Sequence, residues 1–116
     1  MKSVVVVEDD RAIAETIRLI LEESYAVMVL DSSSKMPEGP GPALVITDLI
    51  GRNGYDSAGA IRTVREVRSR TGAPVLVLTA HGAAKADHEL AAVANGVLMK
   101  PFHMDELLAV VERLTV

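Results

Sequence analysis

The sequence predicts an α/β domain built on an open parallel sheet with helical layers on both faces. Five short apolar runs, Ser3–Val7, Tyr25–Leu30, Ala43–Asp48, Val75–Leu78 and Val97–Met99, are separated by helical or crossover segments. Most of these runs are continuous rather than alternating, the pattern of strands covered on both faces. The chain has 116 residues, enough for one such domain, whereas an eight-stranded barrel needs about 250.

The elements follow in order. Ser3–Val7 is β-branched and ends in Glu8, Asp9 and Asp10, so it reads as a strand with three acids at its exit. Asp10 can cap a helix over about Arg11–Glu23, in which Ile13, Ile17, Ile20 and Leu21 share one face. Between Tyr25–Leu30 and Ala43–Asp48 lies Ser32–Pro42, whose three prolines and two glycines leave room for a helical turn at most. Gly51–Tyr55 is a glycine-marked loop. A helix over about Asp56–Arg70 puts Ala58, Ile61, Val64 and Val67 inward, and Gly72 and Pro74 stop it. After Val75–Leu78 an alanine-rich helix is expected over Ala83–Asn95, then Val97–Met99, then a helix over about Met104–Leu114 that buries Leu107, Leu108, Val111 and Leu114.

Bulk properties exclude several function classes. No apolar run approaches the ~18 residues of a membrane helix, and Val4–Val7 is too short for a signal sequence. A cytoplasmic protein of one domain, residues 1–116, is expected. The absence of cysteine excludes disulfides, thiolate metal sites and cysteine nucleophiles. A formal net charge of -4, with one Phe and two Tyr, argues against direct nucleic-acid binding, and the arginines of the Asp56–Arg70 helix read as a solvated face. His81, His88 and His103 have no spacing that pairs them as metal ligands and read as surface or loop residues.

Four of the five runs end in a residue capable of chemistry: Glu8 and Asp9, Asp48, Thr79, and Lys100. Parallel strands present these ends at one edge, where open α/β folds bind ligands. Three carboxylates in one cleft need a compensating cation, and hard oxygen donors without His or Cys suit Mg2+. An aspartate beside Mg2+ and a lysine is equipped for nucleophilic phosphoryl transfer, with the Thr79 hydroxyl able to donate to a phosphoryl oxygen. Taken singly, Glu8 and Asp9 also read as helix-capping acids and Asp48 as the start of a loop.

Glu8-Asp9-Asp10 after VVVV, Asp48 after LVIT, Thr79-Ala80 after VLVL and Lys100-Pro101-Phe102 after VLM resemble the receiver domain of two-component response regulators, over nearly the whole chain. The resemblance implies a flavodoxin-like fold of strand order 2-1-3-4-5, its second helix shortened or missing here, with the site at the β1/β3 switch point. It implies Asp48 as phosphoacceptor, taking its phosphoryl group from a sensor histidine kinase or histidine phosphotransfer protein. Asp9 would be a direct Mg2+ ligand, Glu8 a ligand through water, and the Ile50 backbone carbonyl a further one. Lys100 would pair with the acids and then with the phosphoryl group, and Thr79 would shift toward it and signal its presence to a downstream protein target. The Lys100-Pro101 bond is expected to be cis. Such a domain is a signalling element rather than an enzyme.

The sequence departs from the family where an aromatic residue usually stands three positions before the lysine: here it is Val97, which lacks a ring to swing. Readout is therefore expected to depend on the loop after Thr79 and the following helix. The degenerate Ser32–Pro42 crossover suggests an exposed apolar strip beside the Asp56–Arg70 helix, available for homodimer formation. Two other readings stay open: a receiver-like module that binds proteins without phosphorylation, and an aspartyl-nucleophile phosphatase. The second is opposed by Ile50, which stands where such enzymes of the haloacid dehalogenase group carry a second aspartate.

Overall fold

A computed structural model describes residues 1–32, 35–36, 41–48 and 54–116. Five parallel strands, β1 (Lys2–Val7), β2 (Tyr25–Leu30), β3 (Leu44–Asp48), β4 (Val75–Thr79) and β5 (Gly96–Met99), form one sheet in the order β2-β1-β3-β4-β5. This is the flavodoxin-like order expected from the sequence. The helices among the described residues are α1 (Arg11–Leu21), α2 (Ser57–Thr71), α3 (Gly82–Lys85), α4 (His88–Val93) and α5 (Met104–Leu114).

The period of two along a strand divides the core into two layers. Val4 and Val6 of β1 join Leu44, Ile46, Leu76 and Leu78 against Ile17 and Leu21 of α1 and Leu107 and Val111 of α5. Val5 and Val7 turn the other way and meet Val45, Val75 and Val77 under Ala60, Val64 and Val67 of α2 and Leu90 of α4. Each fully buried aliphatic side chain contributes up to about 2 kcal/mol, so the sheet's central strands are fastened from both sides.

The helix ends follow from local chemistry. The Asp10 side chain accepts from the N–H groups of Ala12 and Ile13 and so starts α1. Gly72 closes α2 with φ 68°, a left-handed turn that favours glycine. Glu106 accepts from the His103 N–H at 3.0 Å at the start of α5.

Two expectations are corrected. The single helix over Ala83–Asn95 is divided into α3 and α4, because Asp87 has extended backbone and its side chain caps a new helix by accepting from Glu89 and Leu90 N–H. The helix also stops at Val93, short of Asn95, whose Oδ1 accepts from Val75 N–H at 2.9 Å and whose own N–H donates to Val75 O at 2.8 Å. Of the apolar strip expected beside the Asp56–Arg70 helix, the described residues show Met28, exposed on β2 in register with Val5 of the layer under α2, whereas Ile61 is packed on the core. Parts of Ser32–Pro42 and Gly51–Tyr55 lie outside the described residues. Among those described, no helix joins β2 to β3, and Met36 of that crossover is buried in the layer under α2.

Candidate functional site

Strand register brings the reactive residues to one edge. Val7 pairs with Thr47, Asp48 with Leu78 and Thr79 with Met99, so Glu8, Asp48, Thr79 and Lys100 stand at or one residue past the ends of four neighbouring strands. Backbone bonds fix the exits: Glu8 N–H donates to Leu30 O at 2.9 Å, and Lys100 N–H to Thr79 O at 2.8 Å. The Lys100-Pro101 bond is cis.

Lys100 Nζ lies 2.8 Å from Glu8 Oε1 and 3.0 Å from Asp48 Oδ1. Glu8 is 3% exposed, whereas its neighbour Asp9 points to solvent. One carboxylate oxygen from each of Glu8, Asp9 and Asp48 lies within 4.8 Å of the others. As carboxylates these groups only accept hydrogen bonds. Glu8 Oε2 is accordingly buried with no partner among the described residues. A divalent cation fits this set: all donors are hard oxygens, one of them buried and otherwise unmatched. The Ile50 carbonyl, expected as a further ligand, lies outside the described residues.

The electrostatics agree with a site built for added positive charge. Burial pushes the Glu8 carboxyl up to about 7, reinforced by a hydrogen bond to Asp48 that protonated Glu8 can donate and by repulsion from Asp48; Lys100 opposes these effects. Burial alone would lower the Lys100 ammonium, but its hydrogen bonds to Glu8 and Asp48 outweigh that and raise it. Thr79 is fully buried, and its Oγ1 accepts from His81 N–H at 3.0 Å. The hydroxyl proton of Thr79 thus remains able to donate.

A cleft of about 350 Å³ opens beside Asp48, with Val7, Thr47, Arg62 and His81 on its walls. His81, read from the sequence as a surface residue, is therefore half-buried at the site, and neither its spacing nor its type announced this. Asp87 was also missed. Its carboxylate accepts from Tyr55 Oη at 2.6 Å and Ser57 Oγ at 2.5 Å, and a lone aspartate interrupting an alanine-rich run was the available signal of a helix start. Val97, in place of the aromatic, is half-buried against the layer under α2, and its carbonyl accepts from Lys85 Nζ at 2.8 Å. His88 and His103 are exposed.

A family profile described as Response regulator receiver domain matches residues 4–112. Among solved structures, the non-phosphorylated HemR receiver domain of Leptospira biflexa is 26% identical, with 99% of this chain and 94% of that one covered at a TM-score of 0.79. The response regulator TrrA of Thermotoga maritima, in complex with Mg2+ and BeF, is also 26% identical, with 98% and 99% covered at a TM-score of 0.76. Another Thermotoga maritima response regulator superposes at a TM-score of 0.79 over 99% of this chain and 98% of that one; at 20% identity it is a likeness of fold alone. No curated protein is similar enough to count as a match.

Proposed function

The chain belongs to the response regulator receiver family, and we propose that in this protein Asp48 accepts a phosphoryl group from a phosphohistidine, with Mg2+. Family membership makes it a signalling domain rather than an enzyme in the ordinary sense. The observation that carries the reading is Lys100 bridging Glu8 and Asp48 beside a buried carboxylate oxygen without a partner among the described residues.

Glu8, Asp9 and Asp48 would hold Mg2+, with the Ile50 carbonyl expected beside them, and the bound ion would supply positive charge against that developing on the phosphoryl oxygens. A carboxylate oxygen of Asp48 attacks phosphorus; the new O–P bond forms as the N–P bond of the donor breaks, and the electron pair returns to the imidazole nitrogen. Lys100, 3.0 Å from Asp48 Oδ1, would pair with one phosphoryl oxygen, and the Thr79 hydroxyl proton would donate to another. The partners implied are a sensor histidine kinase or histidine phosphotransfer protein and a downstream protein. Residues 1–116 are read as one receiver domain in a cytoplasmic setting; no described helix is long and apolar enough to cross a membrane.

The experiment is incubation with acetyl phosphate and Mg2+, followed by intact mass. One added phosphoryl group is expected on the native chain and none on Asp48→Asn. A native chain left unlabelled by both acetyl phosphate and a competent kinase would support the second reading, a protein-binding module that works without phosphorylation, which the ring-less Val97 favours.

A further inference from the structure

The two outer strands finish the sheet differently. β5 has four residues, is followed by the cis Lys100-Pro101 bond, and its Val97 carbonyl accepts from Lys85 Nζ at 2.8 Å. A short strand, a lysine and a proline are devices that keep a sheet edge from pairing further. β2 has six residues, YAVMVL, with no charge, proline or glycine among them, and among the described residues it pairs only with β1.

The direction of its backbone groups follows from one bond. Glu8 N–H donates to Leu30 O, so Leu30 turns its N–H and C=O toward β1. Alternation turns Met28 and Ala26 the same way and leaves the groups of Tyr25, Val27 and Val29 on the outer side, where no described residue pairs with them. The side chains suit the same edge. Met28 is 51% exposed on the side under α2, and Val29, in register with Val6, is 38% exposed on the side of α1. An unguarded edge with apolar side chains on both faces is a template for another strand.

We propose that β2 pairs antiparallel with β2 of a second copy of this chain, about a two-fold axis at Met28. The strand is its own complement in that register. Val27 of each copy stands opposite Val29 of the other, and because both turn their backbone groups outward, each such pair exchanges both of its N–H to C=O bonds. Met28 meets Met28 on the face under α2, flanked by Ala26 opposite Leu30, so each copy covers the apolar surface the other leaves open. Parallel pairing would set Glu22 and Glu23 beside the same residues of the second copy, whereas the antiparallel sense brings Glu23 to the end where Lys35 stands beside Asp31. The two Asp48 residues then stand at opposite edges of one continuous sheet. A strand pair of this length spans about 20 Å, short of a standard interface, so the dimer is weak and reversible. None of this depends on the phosphoacceptor reading.

The test uses the lack of cysteine: Met28→Cys carries a single thiol. Across the axis the two Cα atoms of a non-hydrogen-bonded pair are about 4.5 Å apart, within disulfide range. Leu19→Cys, 54% exposed on α1, is the control thiol. At about 300 μM protein under copper phenanthroline, Met28→Cys is expected to cross-link at least about tenfold faster than Leu19→Cys. Sedimentation velocity of the native chain over about 1 to 300 μM is expected to show monomer converting to dimer. Val29→Pro removes an outward N–H and none that bonds β1, and Met28→Lys sets like charges together at the axis. Each is expected to raise the dissociation constant at least about tenfold while far-UV circular dichroism stays native. An equal mixture of Met28→Lys and Met28→Glu is expected to associate where neither does alone. A native chain that stays monomeric, a dimer that Met28→Lys leaves intact, or equal cross-linking of the two thiols overturns the proposal.

Discussion

Lys100 and Glu8, separated by 92 positions in the sequence, form an ion pair of 2.8 Å with the Glu8 side chain 1% and the Lys100 side chain 15% exposed. Removing one member of so buried a pair leaves the other unmatched. Lys100→Ala is expected to lower the unfolding free energy by about 2 kcal/mol, read from urea denaturation, and to abolish labelling by acetyl phosphate. Combining Glu8→Gln with Lys100→Met is expected to recover at least half of that stability without restoring labelling. Equal instability of the single and double variants would show that the ion pair is not the cause.

Asp9 is exposed, so its removal separates cation binding from folding. Asp9→Ala is expected to change stability by no more than about 0.5 kcal/mol in the absence of divalent cations. The native chain should gain about 2.7 kcal/mol at a Mg2+ concentration 100 times its dissociation constant, and Asp9→Ala should gain nothing over the same titration. Thermal unfolding across a MgCl2 series checks both.

The Asp87 carboxyl is depressed from its ordinary value of 3.8 to about 2 by Ser57 and Tyr55. A group whose folded value lies below its unfolded one adds stability that is present above the unfolded value and lost as pH falls through the folded one. The stability difference between the native chain and the Tyr55→Phe, Ser57→Ala variant is therefore expected to be constant above about pH 5 and to shrink between about pH 4 and 2. Urea midpoints of both proteins over that range provide the comparison, and a difference independent of pH would place the stabilisation elsewhere.

Met36 is 4% exposed and comes from the crossover that has no helix among its described residues. Met36→Ala is expected to cost about 2 kcal/mol in urea denaturation, the low end for emptying a core methionine. A cost below about 0.5 kcal/mol would mean that this segment does not cover the sheet.

Much of this molecule is legible in its sequence because its signals are local. Apolar runs such as VVVV and VLVL mark doubly covered strands, and Asp48 and Lys100 each stand where such a run stops. Gly72 after Arg70 and Thr71 announces the left-handed end of α2. What is not legible is decided across distance. Asp87 and its donors Tyr55 and Ser57 are about 30 residues apart, and no spacing rule links them. Asp87 also competes locally against alanines of high helix propensity, and four hydrogen bonds on one carboxylate win. Glu8 and Asp9 are neighbours of the same charge, yet one is buried on Lys100 and the other is solvated, an outcome set by the chain's exit direction from β1 rather than by either residue's type.

The register of the sheet has a further consequence. Asp48 closes a strand, and Glu8, Thr79 and Lys100 depend on where three other strands end. A slip of one position in any of them would turn its terminal side chain to the opposite face. A chain that had paired its strands wrongly could still be compact and rich in secondary structure, but its acids, hydroxyl and ammonium would no longer share one edge. On the proposed function, competence to receive a phosphoryl group is thereby made conditional on correct folding, with no separate checkpoint required.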